Sequence, residues 1–288
     1  MTRGKTLAEK IDAAILVDEV GIETGRHGPF RLKTLYQPVF RNIPAGLAPC
    51  GVTGTTQAQH EGQPISMQTF LAELSAEDCD FVDCLCRALH LRNHANIGVD
   101  GLTLFLDCNQ QIYGTGQVPP GAFDYLMSCL DEIDFDPALL VCEFANGDEA
   151  GQEDIVQGLR HRGIRLAIGD FGMSQTSLSR ISLLDPEVIK IERAFFHRIA
   201  DIPTAARLLA LLIDALRREG RHVFITGIEK QEHLRVALES GADFLQGQLL
   251  GGARIAGAIF DTTPFQPSTL LSSDEKVIPL FGNHSREP

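Results

Sequence analysis

The sequence contains no long hydrophobic run. None of its 288 residues lies in an apolar stretch near the roughly 18–20 residues that a helix needs to cross a bilayer. The apolar run 208–213 ends at Asp214, and the run 13–17 ends at Asp18. We therefore expect no membrane span and no signal peptide, and we predict a cytoplasmic location.

Positive charge is also scarce. The chain has 25 Lys and Arg residues against 38 Asp and Glu residues, which gives a formal net charge of −13. Nucleic-acid grooves and anionic membrane surfaces bind through clustered Lys and Arg, so neither is expected as the main partner. A small anionic ligand is not excluded, because it needs only local positive charge or a metal ion.

The cysteines lack the spacing of a disulfide framework or a zinc site. Their number, seven, is odd, and no two of them form a CxxC pair. We expect free thiols, as in a reducing cytoplasm. His90 and His94 stand at helical spacing without an acidic residue between them, and we interpret them as a frayed helix end rather than a metal pair.

Short apolar runs alternate with longer segments of helical periodicity along most of the chain. The apolar runs predict strands buried on both faces, at residues 34–40, 102–107, 139–144, 165–171, 188–192, 222–228 and 244–250. The periodic segments predict helices at about 67–92, 119–133, 150–162, 196–218 and 230–240. Residues 41–66, rich in Gly, Pro, Thr and Gln, are predicted to form an irregular loop.

This alternation predicts an α/β fold, either an open doubly wound sheet or a closed (β/α) barrel. The first strand leads into no glycine-rich phosphate-binding turn, and the even spacing favours the barrel. We divide the chain into an N-terminal helical extension at 1–25, a barrel at 26–262 and a C-terminal tail at 263–288.

Charged and polar residues stand where the predicted strands end. In a parallel barrel these ends meet on one face, so carboxylates there would lie beside Lys190. Such a cluster is suited to a hard cation and a phosphate. The alternative for each residue taken alone is a helix cap or an ion pair at the rim. The residues are Asp107, Glu143, Asp170, Lys190, Glu192, Glu229 and Gln246.

Seven short motifs resemble the EAL domain family in order and spacing. They are Tyr36-Gln37-Pro38-Val39, Glu143-Phe144, Asp170-Phe171-Gly172, Ser177-Leu178, Ile189-Lys190-Ile191-Glu192, Thr226-Gly227-Ile228-Glu229 and Gln246-Gly247. The resemblance implies a TIM-like (β/α)8 barrel with one antiparallel strand, and many members of the family form homodimers. It also implies hydrolysis of cyclic di-GMP with two Mg²⁺ or Mn²⁺ ions.

The same resemblance assigns the site residues. It gives catalytic roles to Lys190 and Glu229. It assigns metal binding, weak or vestigial here, to Asp107, Glu143 and Asp170. It assigns contacts with the bound nucleotide to Gln37, Pro38 and Gln246.

Three carboxylates of the family pattern are missing. The segment 51–54 has neither the expected glutamate nor a following arginine, Gly169 precedes the single Asp170, and Thr226 replaces a glutamate. A two-metal mechanism needs about six to eight protein ligands, so at most one weakly bound cation is expected here. Arg41 or Arg193 could replace the missing arginine, although surface solvation is the simpler expectation for each.

We therefore expect a degenerate EAL protein that acts as a bacterial signalling regulator by binding a protein partner. A receptor that binds cyclic di-GMP without cleaving it is the first alternative. A weak metal-dependent phosphodiesterase that releases pGpG is the second, and a barrel enzyme of another class is the third.

Overall fold

A computed structural model describes residues 5–108, 121–144, 152–171, 181 and 184–271. Its strands are β1 (Ile15–Val17), β2 (Glu23–His27), β3 (Phe30–Ile43), β4 (Gly46–His60), β5 (Gln63–Ile65), β6 (Thr103–Asp107), β7 (Leu140–Phe144), β8 (Arg165–Phe171), β9 (Val188–Ile191), β10 (His222–Ile225), β11 (Phe244–Leu245) and β12 (Arg254–Ile255). Its α-helices are α1 (Leu7–Ala14), α2 (Met67–Ala72), α3 (Ala76–Arg92), α4 (Ala122–Glu132), α5 (Gln152–His161), α6 (Arg193–Ala200), α7 (Pro203–Arg218), α8 (Gln231–Glu239) and α9 (Ser268–Leu271).

Eight of these strands close a barrel, in the order β3, β4, β6, β7, β8, β9, β10 and β11. Each neighbouring pair from β4 to β11 is parallel, whereas β3 runs antiparallel to both β4 and β11. The predicted α/β barrel with one antiparallel strand is therefore confirmed. The carboxyl ends of the seven parallel strands meet at one face, which is the arrangement that the predicted cluster of strand-end residues depends on.

The prediction of an irregular loop at 41–66 is wrong, because these residues belong to a long hairpin. β3 pairs with β4 from Phe30↔His60 to Ile43↔Gly46, and a bulge interrupts the register near Val39. The glycines that suggested a loop mark close approaches of the backbone instead. A Cβ on Gly54 would lie 2.7 Å from Cγ of His90, and one on Gly51 would lie 2.5 Å from the Thr103 carbonyl oxygen.

Two long predicted helices are each divided in the structure. The segment 67–92 forms α2 and α3, and the Ser75 side chain accepts a hydrogen bond from the Asp78 amide at the start of α3. The segment 196–218 forms α6 and α7, with Pro203 in the first turn of α7. Both breaks follow from residues that favour a helix start.

The predicted frayed helix end at His90 and His94 is also wrong, since both side chains are buried. His90 shares hydrogen bonds with the hydroxyls of Thr34 and Thr56 on the two hairpin strands. It thus ties α3 to the outer side of the barrel wall.

The segments that flank the barrel pack against it. Residues 7–14 form α1, which Thr6 and Glu9 cap reciprocally, and β1 and β2 form a hairpin that continues onto β3. Phe265 packs on Phe40 with ring centroids 5.5 Å apart. The proposed limits at residues 25 and 262 stay predictions, and residues 272–288 lie outside the described residues.

Two separate hydrophobic clusters lie on the two sides of the barrel wall. The larger one packs the helices onto the outside of the strands. The smaller one fills the barrel, and we call it the barrel plug; it consists of Val39, Phe105, Val141, Ala167, Val188, Phe224 and Phe244. Within the described part of the chain, no helix is both long and apolar enough to span a membrane.

Candidate functional site

The candidate site is the layer of the barrel that lies directly above the plug. Side chains alternate along a strand, so the residue two positions from each plug residue faces the same interior. On each parallel strand we take the residue two positions after the plug residue. On the antiparallel strand β3 we take the residue two positions before it, which lies at the same end of the barrel. With Thr53 from β4, which is opposite Gln37, these residues are Gln37, Thr53, Asp107, Glu143, Gly169, Lys190, Thr226 and Gln246.

A cleft of about 350 Å³ opens above this layer. Four of the eight residues to which the resemblance assigns a role line it together, namely Gln37, Lys190, Glu229 and Gln246. Pro38 is buried and alternates with Gln37 along β3, so its side chain faces the other side of the strand. The cleft is also lined by Glu192, Arg193, Thr226, Gly227, Gly247 and Gln248.

Lys190 and Glu143 form a buried ion pair at the centre of the site. Lys190 Nζ donates to both carboxylate oxygens of Glu143, at 3.0 and 2.8 Å. The Lys190 and Glu143 side chains are only 14% and 10% exposed, and a Glu192 oxygen lies 3.7 Å from the same Nζ. The amine therefore supplies the positive charge that compensates this carboxylate.

Burial and neighbouring charges shift the pKa of both partners. Burial raises the pKa of Glu143 to about 7, and the Asp107 carboxylate raises it too, although Lys190 opposes both. Burial alone would lower the pKa of Lys190, but the Glu143 and Glu192 carboxylates raise it above its ordinary value. Lys190 thus stays charged at neutral pH, and burial makes Glu143 easier to protonate than an exposed glutamate.

The predicted metal ligands are brought together only in part. Asp107 and Glu143 lie opposite each other in the β6–β7 register. Asp170 belongs to β8, but its side chain lies outside the described residues. A Cβ on Gly169 would clash with Glu143 Oε1, so the carboxylate fills the space that a side chain at 169 would need.

The other two positions that lack a carboxylate carry threonines with hydroxyl contacts to protein. Gln246 Nε2 donates to Thr53 Oγ1 at 2.8 Å and to the Gln37 carbonyl at 3.2 Å. The Thr226 hydroxyl donates to the Ile191 carbonyl at 3.2 Å. No group of three or more His, Cys, Asp or Glu side chains suited to a metal occurs among the described residues. The described side chains alone do not supply the ligands of a two-metal centre.

Glu229 contacts an arginine at the rim of the cleft. Its Oε1 lies 2.9 Å from a guanidinium nitrogen of Arg193, whose side chain is 63% exposed. Gly227 has a φ of +79°, and a Cβ there would approach Cγ of Arg193 to 2.5 Å, so glycine permits this close packing. Arg193 therefore lines the cleft while its side chain stays largely in solvent, as the sequence led us to expect. Arg41 stacks over Phe244 at the opposite end of the barrel.

Sequence reasoning missed two histidines that support this rim. His197 Nε2 donates to the Gly227 carbonyl at 2.7 Å, and the Glu229 amide donates to His233 Nδ1 at 3.3 Å. Their rings are 4.2 Å apart. They come from α6 and α8, so only the fold brings them together, and no local sequence pattern could have identified them.

Comparisons with known proteins give a consistent relationship. A family model described as the EAL domain matches residues 30–253. A stretch of 95 residues, 33% of this chain, is 30% identical to the probable cyclic di-GMP phosphodiesterase PdeD of Escherichia coli (strain K12) and covers 18% of that protein. The chain thus spans less than a fifth of this relative's length.

Two solved structures resemble more than three quarters of the chain. The Klebsiella pneumoniae protein BlrP1, in a complex with calcium and cyclic di-GMP, matches with a TM-score of 0.66 at 20% identity, over 78% of this chain and 56% of that one. The EAL domain of Xanthomonas citri FimX, in complex with cyclic di-GMP, matches with a TM-score of 0.65 at 13% identity, over 77% and 88% of the two chains. At these identities the likeness supports the fold.

Proposed function

The chain belongs to the EAL domain family, and from this premise we propose that it is a catalytically degenerate member that regulates signalling by binding a protein partner. The observation that carries the proposal is the Lys190–Glu143 ion pair, in which both carboxylate oxygens contact the amine. In active members of the family the divalent cations supply an activated water. Here the Lys190 ammonium group takes up both carboxylate oxygens of Glu143. Three other positions of the layer lack a carboxylate, because they hold Thr53, Gly169 and Thr226.

The missing carboxylates weigh heavily on the rate of hydrolysis. Each 1.4 kcal/mol lost from transition-state stabilisation lowers a rate about tenfold. Loss of several ligands would therefore remove most of the two-metal advantage. Asp107 and Glu143 lie side by side, and with Asp170 they could retain at most one weakly bound Mg²⁺ or Mn²⁺ ion, so we rank slow release of pGpG last among the candidates.

An exposed apolar face on α7 supports the partner-binding role. Leu208 and Leu211 are 66% and 67% exposed, and Ile202 just before the helix is 51% exposed. The opposite face of α7 buries Leu209 and Ile213 against the barrel. Exposed apolar side chains one helical turn apart, as Leu208 and Leu211 are, favour a protein contact, with a regulatory partner or a second copy of the chain.

A receptor for cyclic di-GMP is the second candidate, and the cleft supports it. Gln37, Gln246 and Arg193 line a volume large enough for part of a dinucleotide. The charge balance opposes it, because Asp107, Glu143, Glu192 and Glu229 outnumber the two cations of the site. Without divalent ions these carboxylates repel the two phosphates of the ligand.

We also propose a cytoplasmic location, in keeping with seven free cysteines.

Calorimetry with cyclic di-GMP, with and without Mg²⁺ or Mn²⁺, tests the ranking. The proposal predicts no binding at micromolar concentrations under either condition. Binding in the presence of EDTA would replace it with the receptor function.

The partner role is tested by affinity purification from the native host with the chain and its Leu211→Glu variant as matched baits. A protein retained by the first and lost from the second is expected, and identical retention by both would contradict a role for α7.

A further inference from the structure

The opposite end of the barrel, below the plug, carries a second polar layer. Counting two positions from plug residues toward the amino ends of the parallel strands, or forward along β3, gives inward-facing residues again. These are Arg41 beyond Val39, Thr103 before Phe105, Arg165 before Ala167 and His222 before Phe224. Cys50, at the bulge of the hairpin, packs against the plug beside them. We call this layer the N-terminal mouth.

Two guanidinium groups share the mouth. Arg165 Nη2 donates to Thr103 Oγ1 at 3.2 Å, across the neighbouring strand β7. Cζ of Arg41 lies 5.9 Å from the centre of the Phe244 ring. Burial raises the pKa of the Cys50 thiol to about 12, whereas Arg41 and Arg165 each act to lower it, so both guanidinium groups lie near this thiol.

Neither arginine has a carboxylate partner among the described residues. The Glu187 carboxylate acts to raise the pKa of Arg165, but its Oε2 accepts a hydrogen bond from the Leu166 amide at 2.8 Å. Asp243, at the same end, lies 3.5 Å from both Arg217 and His222. Arg165 Nε is fully buried and has no hydrogen-bond partner in the described part of the chain.

This arrangement costs stability unless something compensates it. The charge of the exposed Arg41 repels that of the half-buried Arg165, and the buried Arg165 N–H without an acceptor loses a hydrogen bond to water. Burial, and then the Arg41 charge, lower the pKa of Arg165 despite Glu187. The amino-terminal face of such a barrel commonly serves stability, and an anion bound between these two cations would offset their unfavourable pairing.

We propose that the N-terminal mouth is an anion-binding site, in which Arg41 and Arg165 hold a small oxyanion such as phosphate or the phosphoryl group of a small phosphate monoester. Arginine presents its N–H groups as a planar fork that matches phosphate oxygens, and Thr103 adds a hydroxyl at the same place. The site lies on the far side of the plug from the cleft and is independent of the function proposed for that cleft.

Thermal unfolding in inorganic phosphate, against KCl at matched ionic strength, tests the site. Phosphate should raise the Tm of the unmodified chain, and Arg41→Gln should weaken the apparent affinity at least about tenfold, as expected for loss of a charge-assisted contact. Without phosphate, Arg41→Gln should keep or raise the Tm, because it removes the repulsion. Arg207→Gln, an exposed arginine of α7, is the matched control and should change neither result.

Two further arms complete the test. Arg41→Lys keeps the charge and loses the fork, so intermediate affinity is expected. Replacing phosphate by glycerol 3-phosphate distinguishes the free ion from an esterified phosphoryl group as the preferred ligand. An equal effect of phosphate on the unmodified chain and on Arg41→Gln, or an effect that KCl reproduces, would overturn the proposal. Arg41 is exposed, so its variants should fold.

Discussion

Replacement of Lys190 by methionine tests the ion pair at the centre of the cleft. At 2.8 Å and an effective dielectric constant of about 20, the attraction between Lys190 Nζ and Glu143 is about 6 kcal/mol. Desolvation of the two groups offsets part of it. Removal of one partner of a buried pair typically costs about 3–5 kcal/mol, because the remaining charge stays buried without compensation. We expect Lys190→Met to lose this amount of unfolding free energy at pH 8.

The pH dependence has a definite sign. The folded-state pKa of Glu143 is raised to about 7, so its protonation contributes stability that is complete below its unfolded-state pKa and is lost as pH rises through about 7. Lys190→Met removes the charge that opposes this shift, so the pKa of Glu143 should rise further. The variant should therefore lose much more stability at pH 8 than at pH 5.5.

The assay is urea unfolding followed by far-UV circular dichroism, since the chain has no tryptophan. The double variant Lys190→Met/Glu143→Gln should be several kcal/mol more stable than the sum of the two single changes predicts. Lys10→Met, at an exposed lysine of α1, should change stability by less than about 0.5 kcal/mol. Additive single changes, or equal losses at both pH values, would refute the reasoning.

Three further predictions concern the barrel wall and its interior. Gly54→Ala places a Cβ 2.7 Å from Cγ of His90, so a loss of about 1–3 kcal/mol is expected in the same urea assay, against little change for exposed Thr55→Ala. Phe224→Ala removes a fully buried ring from the plug and should cost about 3–5 kcal/mol; a smaller loss would mean that the plug is loosely packed. Gly169→Asp should lower the Tm because the new side chain clashes with Glu143, and Mn²⁺ should not restore it; recovery with Mn²⁺ would indicate a latent metal site.

The parallel half of the barrel was predictable because its strands are short, apolar and buried on both faces. Asp107, Glu143 and Lys190 stand at the ends of such runs, and the alternation of side chains along a strand places them in one layer. The hairpin was not predictable by this rule. β4 is rich in small and polar residues because its glycines admit close neighbours such as His90, and that contact exists only in the folded chain.

The pairing within the site also exceeded what the sequence could determine. The sequence placed Lys190 and Glu143 on the same face of the barrel but did not indicate that the amine would contact both carboxylate oxygens. Gly169 makes this possible by leaving space beside β7. Arg193 is largely in solvent as expected, but its ion pair with Glu229 was not predictable, because the close packing of Arg193 on Gly227 depends on the positive φ of that glycine.

The central claim is that the layer above the plug has lost the two-metal chemistry of the EAL family. The most direct measurement is the release of pGpG from cyclic di-GMP by the purified chain with saturating Mn²⁺, beside an active EAL phosphodiesterase under the same conditions. We predict no release above that of a sample without protein. Turnover that requires Mn²⁺ and is lost in Glu143→Gln would contradict the account.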